Sequence, residues 1–181
     1  MNTPTKTLGL LRHAKSDWDD MSLGDFERGL NARGRRGAAL MGAHIREHGV
    51  PWDLVVSSPA ERVKLTLEAA RLGVPIRWEP DAYLADTDAL IALLHQVPED
   101  AEAVLLAAHN PGLQELIFAL VPPEGENALF AEAAEKFPTA TFAVLELAIG
   151  SWSECAEGCG RLVHFARPRD LDPELGPERV R

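Results

Sequence analysis

Four side chains in three separated stretches carry the chemistry of this 181-residue chain. Arg12 and His13 end the apolar run in "LGLLRHAKS", Arg62 ends "SSPAER", and His109 with Asn110 closes "LLAAHN". Two arginines and two histidines make a poor structural cluster, because like charges repel and burial of unpaired charge is costly. A phosphate is the economical partner. Guanidinium forks bind its oxygens in pairs, and an imidazole can carry a phosphoryl group covalently. Helices opening near Pro59 and Pro111 are expected to add backbone donors and a favourable dipole.

The elements that must position these residues read as alternating strands and helices. Thr7 to Leu11 is a short, bounded apolar run and reads as a buried strand. "SDWDDMSLGDFERG" reads as a loop. Asn31 caps a helix through "ARGRRGAALMGAHIREHG", with a stripe of Ala38, Leu40, Met41 and Ile45, ended by Gly49 and Pro51. "WDLVVSS" is a second strand, and "PAERVKLTLEAARLG" a helix with Pro59 in its first turn and Gly73 at its end. "IRWEP" is a short third strand. "DTDALIALLHQV" is a helix capped by Asp86 or Thr87, "EAVLLAAHN" the clearest buried strand, and "PGLQELIFALV" a helix opened by proline. Beyond Pro122, "EGENALFAEAAEKFP" reads as a helix or ordered excursion. "TATFAVLELAI" and "GRLVHFARP" read as neighbouring strands across "GSWSECAEGC", and a loose tail is expected from Pro168.

This alternation predicts an α/β fold with a mostly parallel sheet and helices on both faces. In such sheets ligands bind beyond the carboxyl ends of the strands. Arg12 and His13, Ser57 and Ser58 with Arg62 one helical turn on, and His109 with Asn110 all fall at those ends. Ser57 and Ser58 lack the turn of a nucleophile elbow, which argues against a serine hydrolase.

Composition sets the outer limits. Eighteen Lys and Arg against 28 Asp and Glu give a net charge of −10, which excludes bulk attraction to nucleic acid or an anionic membrane but leaves room for a local cationic pocket. No apolar run has the length of a membrane span, and "MNTPTKT" lacks a signal-peptide core, so a single cytoplasmic domain over residues 1–181 is expected. Cys155 and Cys159 in "CAEGC" have no second pair for a zinc site or disulfide framework and read as incidental thiols. His44 and His48 lie four apart on one helix without an evident third ligand, so they read as a solvated face. His95 and His164 read as structural or surface residues. The basic run from Ala32 to Arg36 reads as a solvated face, or as a means of steering an acidic phosphoprotein.

The ordered set "LLRHAKS", "DFERGLNARG", "LVVSSPAERVKLTLE" and "LLAAHNPGL", from Leu8 to about Leu116, resembles the histidine phosphatase superfamily. Within it the chain looks most like the small SixA-type phosphohistidine phosphatases. The resemblance implies a phosphoglycerate mutase-like, three-layer α/β/α sandwich. It implies His13 as the phosphorylated nucleophile, Arg12 and Arg62 as phosphate clamps, His109 as a donor to the phosphoryl oxygens, and no metal or other cofactor. His13 must be unprotonated to attack, and two nearby guanidinium groups favour that form; His109 is expected to work protonated. Lys15, Ser16 and Asn110 are further candidate phosphate contacts or positioning groups.

Three departures from the family pattern stand out. Ala14 replaces the glycine of the widespread Arg-His-Gly, and Gly29 makes "RGL" of the usual "RPL", which is expected to loosen that loop. Leu84 in "YLAD" occupies the place where many relatives carry a glutamate general acid. Asp86, Asp17 or Asp19 are the candidate substitutes. A missing acid suits a leaving group that departs easily, such as the imidazole of phosphohistidine. The leading expectation is therefore a metal-independent phosphatase acting on phosphohistidine in a protein. The alternatives are a small-molecule phosphomonoesterase, for which Pro122 to Pro138 is the one candidate specificity insertion, and a non-catalytic phosphate- or phosphopeptide-binding module.

Overall fold

In the structure, a computed structural model that describes residues 3–177, six strands form one sheet in the order β3-β2-β4-β1-β5-β6. The strands are β1 (Lys6–Arg12), β2 (Leu54–Ser57), β3 (Ile76–Trp78), β4 (Ala103–Ala108), β5 (Phe142–Leu147) and β6 (Gly160–Ala166). The first four run parallel, and β5 and β6 add an antiparallel hairpin beside β1. All six residues of β4 are buried, as a central parallel strand covered on both faces requires.

Two apolar cores lie on the two sides of this sheet. Helices α1 (Ala32–His48) and α2 (Glu61–Ala70) contribute Met41, Ile45, Val63 and Leu67 to one. Helices α3 (Thr87–His95), α4 (Gly112–Leu120) and α5 (Ala128–Glu135) contribute Leu90, Leu94, Leu113, Leu116 and Ala133 to the other. The result is the α/β/α sandwich. The largest wholly buried side chain, Trp152, closes the second core and donates its indole N–H to the Ala101 carbonyl at 2.7 Å, so its one polar atom is satisfied.

Local signals set most boundaries. The Asn31 side chain accepts from the Gly34 amide at 2.7 Å, and Gly49 ends α1 at φ 87°. Asp86 caps α3, accepting from the Ala89 amide at 2.9 Å. The start and end of α2 differ from expectation. Pro59 precedes the cap residue Ala60, and the helix stops at Arg71, in the left-handed region at φ 50°, before Gly73 is reached. Leu40 of the predicted stripe is only half-buried; Gly34, Gly37 and Gly42 fill that face instead. A Cβ on Gly34 would sit 2.2 Å from the Lys15 carbonyl oxygen, so α1 packs directly on the chain that follows His13.

The expected loose tail is instead built into the fold as far as residue 177. Pro168–Leu171 forms a short helix, α6, locked by Arg167 and Asp170 in a capping box and packed on α1. The basic run of α1 anchors it: Arg36 pairs with Asp172 and Glu174, and Arg33 donates to the Gly176 carbonyl. That run is therefore not a free solvated face.

His44 and His48 are not simply solvated either. With His164 of β6 they stack against Phe142, the His48 and His164 rings 4.2 Å apart and the His44 and His164 Nε2 atoms 2.8 Å apart. Burial, then the His48 and His44 charges, holds the His164 pKa down to about 4. Among the described residues, no group of three or more His, Cys, Asp or Glu is arranged to hold a metal ion. Both cysteines are free thiols, and among the described residues no helix is long and apolar enough to cross a membrane.

Candidate active site

The parallel strands deliver the expected residues to one edge. Arg12 ends β1 with His13 directly after it, Ser58 follows β2, Arg62 lies in the first turn of α2, and His109 follows β4. The His13 and His109 rings stand 5.4 Å apart, and the Arg62 Nη2 lies 3.2 Å from His109 Nδ1. His13, Arg62 and His109 are all nearly buried.

The hydrogen bonds decide the tautomers. His13 Nδ1 lies 2.8 Å from the Ala14 carbonyl oxygen. A carbonyl only accepts, so Nδ1 carries the proton and Nε2 keeps its lone pair. Burial is the main cause that pushes the His13 pKa down to about 4, with the Arg12 and Arg62 charges adding to it. The imidazole is thus neutral at pH 7, through desolvation first and guanidinium repulsion second. His109 is neutral too. Its Nδ1 accepts from Arg62, which can only donate, and its Nε2 therefore donates to Ser58 Oγ at 2.7 Å. Burial and then Arg62 hold its pKa down to about 3. The protonated His109 expected during the reaction would therefore need the bound phosphoryl group to favour it.

The packing around Ala14 explains how the chain tolerates a methyl group directly after His13. Its side chain is buried among Leu30, Ala38 and Ala140, and its amide donates to Thr66 Oγ1 at 2.9 Å. Thr66 in turn donates to the Arg62 carbonyl at 2.7 Å, which ties the two halves of the site together. The loop ahead of α1 is pinned rather than loosened at Gly29, since the Gly29 carbonyl accepts from the Asp17 amide at 2.8 Å and Ser16 pairs with Leu30.

The carboxylate of the site is Asp25, which the sequence reading passed over. Arg62 donates from Nη1 to the Asp25 carbonyl at 2.7 Å and from Nη2 to its carboxylate at 3.1 Å. The Tyr83 hydroxyl donates to the same carboxylate. That phenol, ahead of the Arg62 charge, holds the Asp25 carboxyl below its usual range, so it is ionised at neutral pH and is no proton donor. Asp86 is engaged as the cap of α3, Asp17 accepts from the Asp19 amide, and Leu84 is exposed at φ 49°.

Arg28 was also passed over. It is nearly buried, lies over the Trp18 ring at 3.6 Å and bears on the Asp25 charge, yet its Nε and Nη1 have no hydrogen-bond partner. The Arg12 Nε is in the same condition, while Arg12 Nη1 donates to the Phe137 carbonyl at 2.8 Å. Unsatisfied buried guanidinium nitrogens are costly and are the natural donors to an anion. Of the charged groups that bear on His13, Arg12 and Arg62 outweigh Asp25, so the site is net cationic, as a phosphoryl group requires. Asn110 donates to the same Phe137 carbonyl at 3.3 Å and positions that segment. Ser16 is held in the loop ladder, and Lys15 lies in the wall of an adjoining cavity.

The chain matches the family model described as the histidine phosphatase superfamily (branch 1) over residues 8–111. It is 35% identical over 160 residues to an uncharacterised protein of Mycobacterium tuberculosis, covering 88% of this chain and all of that one. Its structure is similar to one assigned as the phosphohistidine phosphatase SixA from Nakamurella multipartitia, with TM-score 0.82, 29% identity, and 91% and 97% of the two chains covered. A SixA structure assigned likewise, from Agrobacterium tumefaciens, aligns with TM-score 0.75 and 28% identity over 90% and 98% of the chains. The sequence match, the fold and the converging Arg12, His13, Arg62 and His109 agree, and the chain belongs to the histidine phosphatase superfamily, with an architecture of the SixA type.

Proposed function

We propose that this phosphatase hydrolyses phosphohistidine in a protein substrate through a phosphohistidine intermediate on His13. The observation that carries the reading is the fixed tautomer of His13. The Ala14 carbonyl holds Nδ1–H and leaves a neutral Nε2 lone pair beside Arg12 and Arg62.

In the first step His13 Nε2 attacks phosphorus as the P–N bond to the substrate imidazole breaks. Arg12, Arg28 and Arg62 offset the charge on the phosphoryl oxygens. His109 contributes its ring once the incoming phosphoryl group draws Arg62 away from Nδ1 and favours protonation there. The leaving imidazole is protonated on its second ring nitrogen and departs neutral, so no strong acid is required. The ionised Asp25 and the exposed Leu84 fit that demand. In the second step water attacks phosphorus, the P–Nε2 bond breaks, phosphate leaves and the proton of water passes to solvent.

The test is phosphate release from a histidine-phosphorylated protein beside p-nitrophenyl phosphate and an alkyl phosphate, for wild type and His13→Ala, with and without chelator. The reading expects His13-dependent, chelator-insensitive release that is fastest on phosphohistidine. Equal rates on the alkyl phosphate would favour a small-molecule phosphomonoesterase. Phosphate binding without turnover of any substrate would favour a binding module.

A further inference from the structure

Beside the site lies a cavity of about 170 Å³ whose character is opposite to that of the chain. The protein carries a net charge of −10, yet among the described residues Lys15, Arg33, Lys136, Arg167 and Arg169 line this cavity and no Asp or Glu does. Arg167 is neutralised by Asp170 and Glu132. Among the described residues, Lys15, Arg33, Lys136 and Arg169 have no carboxylate partner; Arg33 meets only the Gly176 carbonyl.

The cavity shares two walls with the active site. One is the Ala14–Lys15 segment, which begins at the residue after the nucleophile. The other is the segment from Lys136 to Ala140. Its Phe137 carbonyl holds Arg12, and its Ala140 amide donates to the His13 carbonyl at 2.9 Å. A polypeptide that presents a phosphorylated side chain to His13 therefore places its neighbouring residues at this mouth. Four cations without a carboxylate partner in the lining of one cavity offer partners to several carboxylates at once.

We propose that this cavity is a carboxylate-binding subsite, which selects phosphoproteins whose phosphohistidine is flanked by acidic residues. The proposal rests on the phosphohistidine phosphatase reading for its substrate but not for its anion chemistry. Rim charges of this kind act mainly on encounter and on KM, and their effect is screened by salt.

The test compares wild type, the Lys136→Gln/Arg169→Gln double variant and the single charge reversal Lys136→Glu. Lys136 is exposed, so the reversal leaves the fold intact. The substrates are a phosphohistidine peptide flanked by Asp and Glu, the same peptide with Asn and Gln, and phosphoramidate. The expected result is a fall on the order of fivefold in kcat/KM of the double variant on the acidic peptide only. The neutral peptide and phosphoramidate should keep their rates, and the preference of wild type for the acidic peptide should shrink as salt is raised. Equal losses on both peptides, or no loss, would overturn the proposal. Binding of the unphosphorylated acidic peptide, followed by fluorescence anisotropy, separates the two readings. If no phosphohistidine is hydrolysed but this binding is weakened in the double variant, the subsite stands and the substrate reading falls; unchanged binding sinks the subsite. A small bisphosphate arm distinguishes the remaining source of anions. If the double variant loses a preference for bisphosphate over monophosphate while the peptide ratio is unmoved, the cavity serves a second phosphate and the proposal is overturned.

Discussion

Lowering the pH should destabilise this protein through His13 in a measurable, isolable way. The folded pKa of about 4 lies below the ordinary 6.5 because burial, then the Arg12 and Arg62 charges, disfavour the imidazolium. A group whose folded pKa is depressed binds fewer protons in the folded state, so its contribution is fully present above pH 6.5 and is lost as pH falls towards 4. Between about pH 7.5 and about pH 5 the unfolded chain gains most of a proton at this position and the folded chain gains little. The linkage amounts to about 2 kcal/mol, and it is undiscounted because the side chain is only 8% exposed. Carboxylates and the other histidines add their own pH dependence, so the informative quantity is a difference. Urea unfolding of wild type and His13→Gln at the two pH values should show wild type losing about 2 kcal/mol more than the variant. The acid limb of kcat/KM should likewise fall near pH 4 rather than 6.5. Parallel stability curves, or an acid limb at the ordinary value, would refute the claim that burial keeps the nucleophile neutral.

Two further outcomes are expected. Arg28→Gln should weaken phosphate or vanadate binding by about 2 kcal/mol while leaving thermal stability unchanged or raised, since it removes buried guanidinium nitrogens that have no protein partner; calorimetric titration and a melting scan check both signs. Gly34→Ala should cost about 1–3 kcal/mol and lower kcat together, because its Cβ would meet the Lys15 carbonyl at 2.2 Å and push the chain away from His13; loss of stability with kcat intact would show that this packing does not position the nucleophile.

The architecture was legible because its signals are local. The all-buried run of β4, the Asn31 cap and the Gly49 stop each name their element without reference to the rest of the fold. Arg12, His13, Arg62 and His109 were legible because they sit at strand ends or in the helical turn that follows, where an α/β sheet collects its ligands. Asp25 and Arg28 were not, because they lie in an aperiodic loop. Their importance comes from Arg62, Tyr83 and Trp18, which are distant in sequence or packed across the loop. The cap of α3 was legible in Asp86, because the task is local: its side chain accepts from the Ala89 amide three residues on. The ordered tail was missed because prolines and charges predict looseness, while its anchors, Arg33 and Arg36, lie on α1 far back in the chain. The third member of the histidine cluster, His164, sits on β6 and joins His44 and His48 only through the packing of that strand on α1.

The central claim is that His13 carries the phosphoryl group, on Nε2. The direct measurement is a rapid alkaline quench of the protein during turnover of phosphoramidate or a phosphohistidine protein, followed by peptide mapping by mass spectrometry. The account predicts one acid-labile phosphoryl group, on the peptide containing His13, as the Nε2 isomer, and none in His13→Ala. A phosphoryl group on another residue or on Nδ1, or turnover that survives His13→Ala, would contradict it.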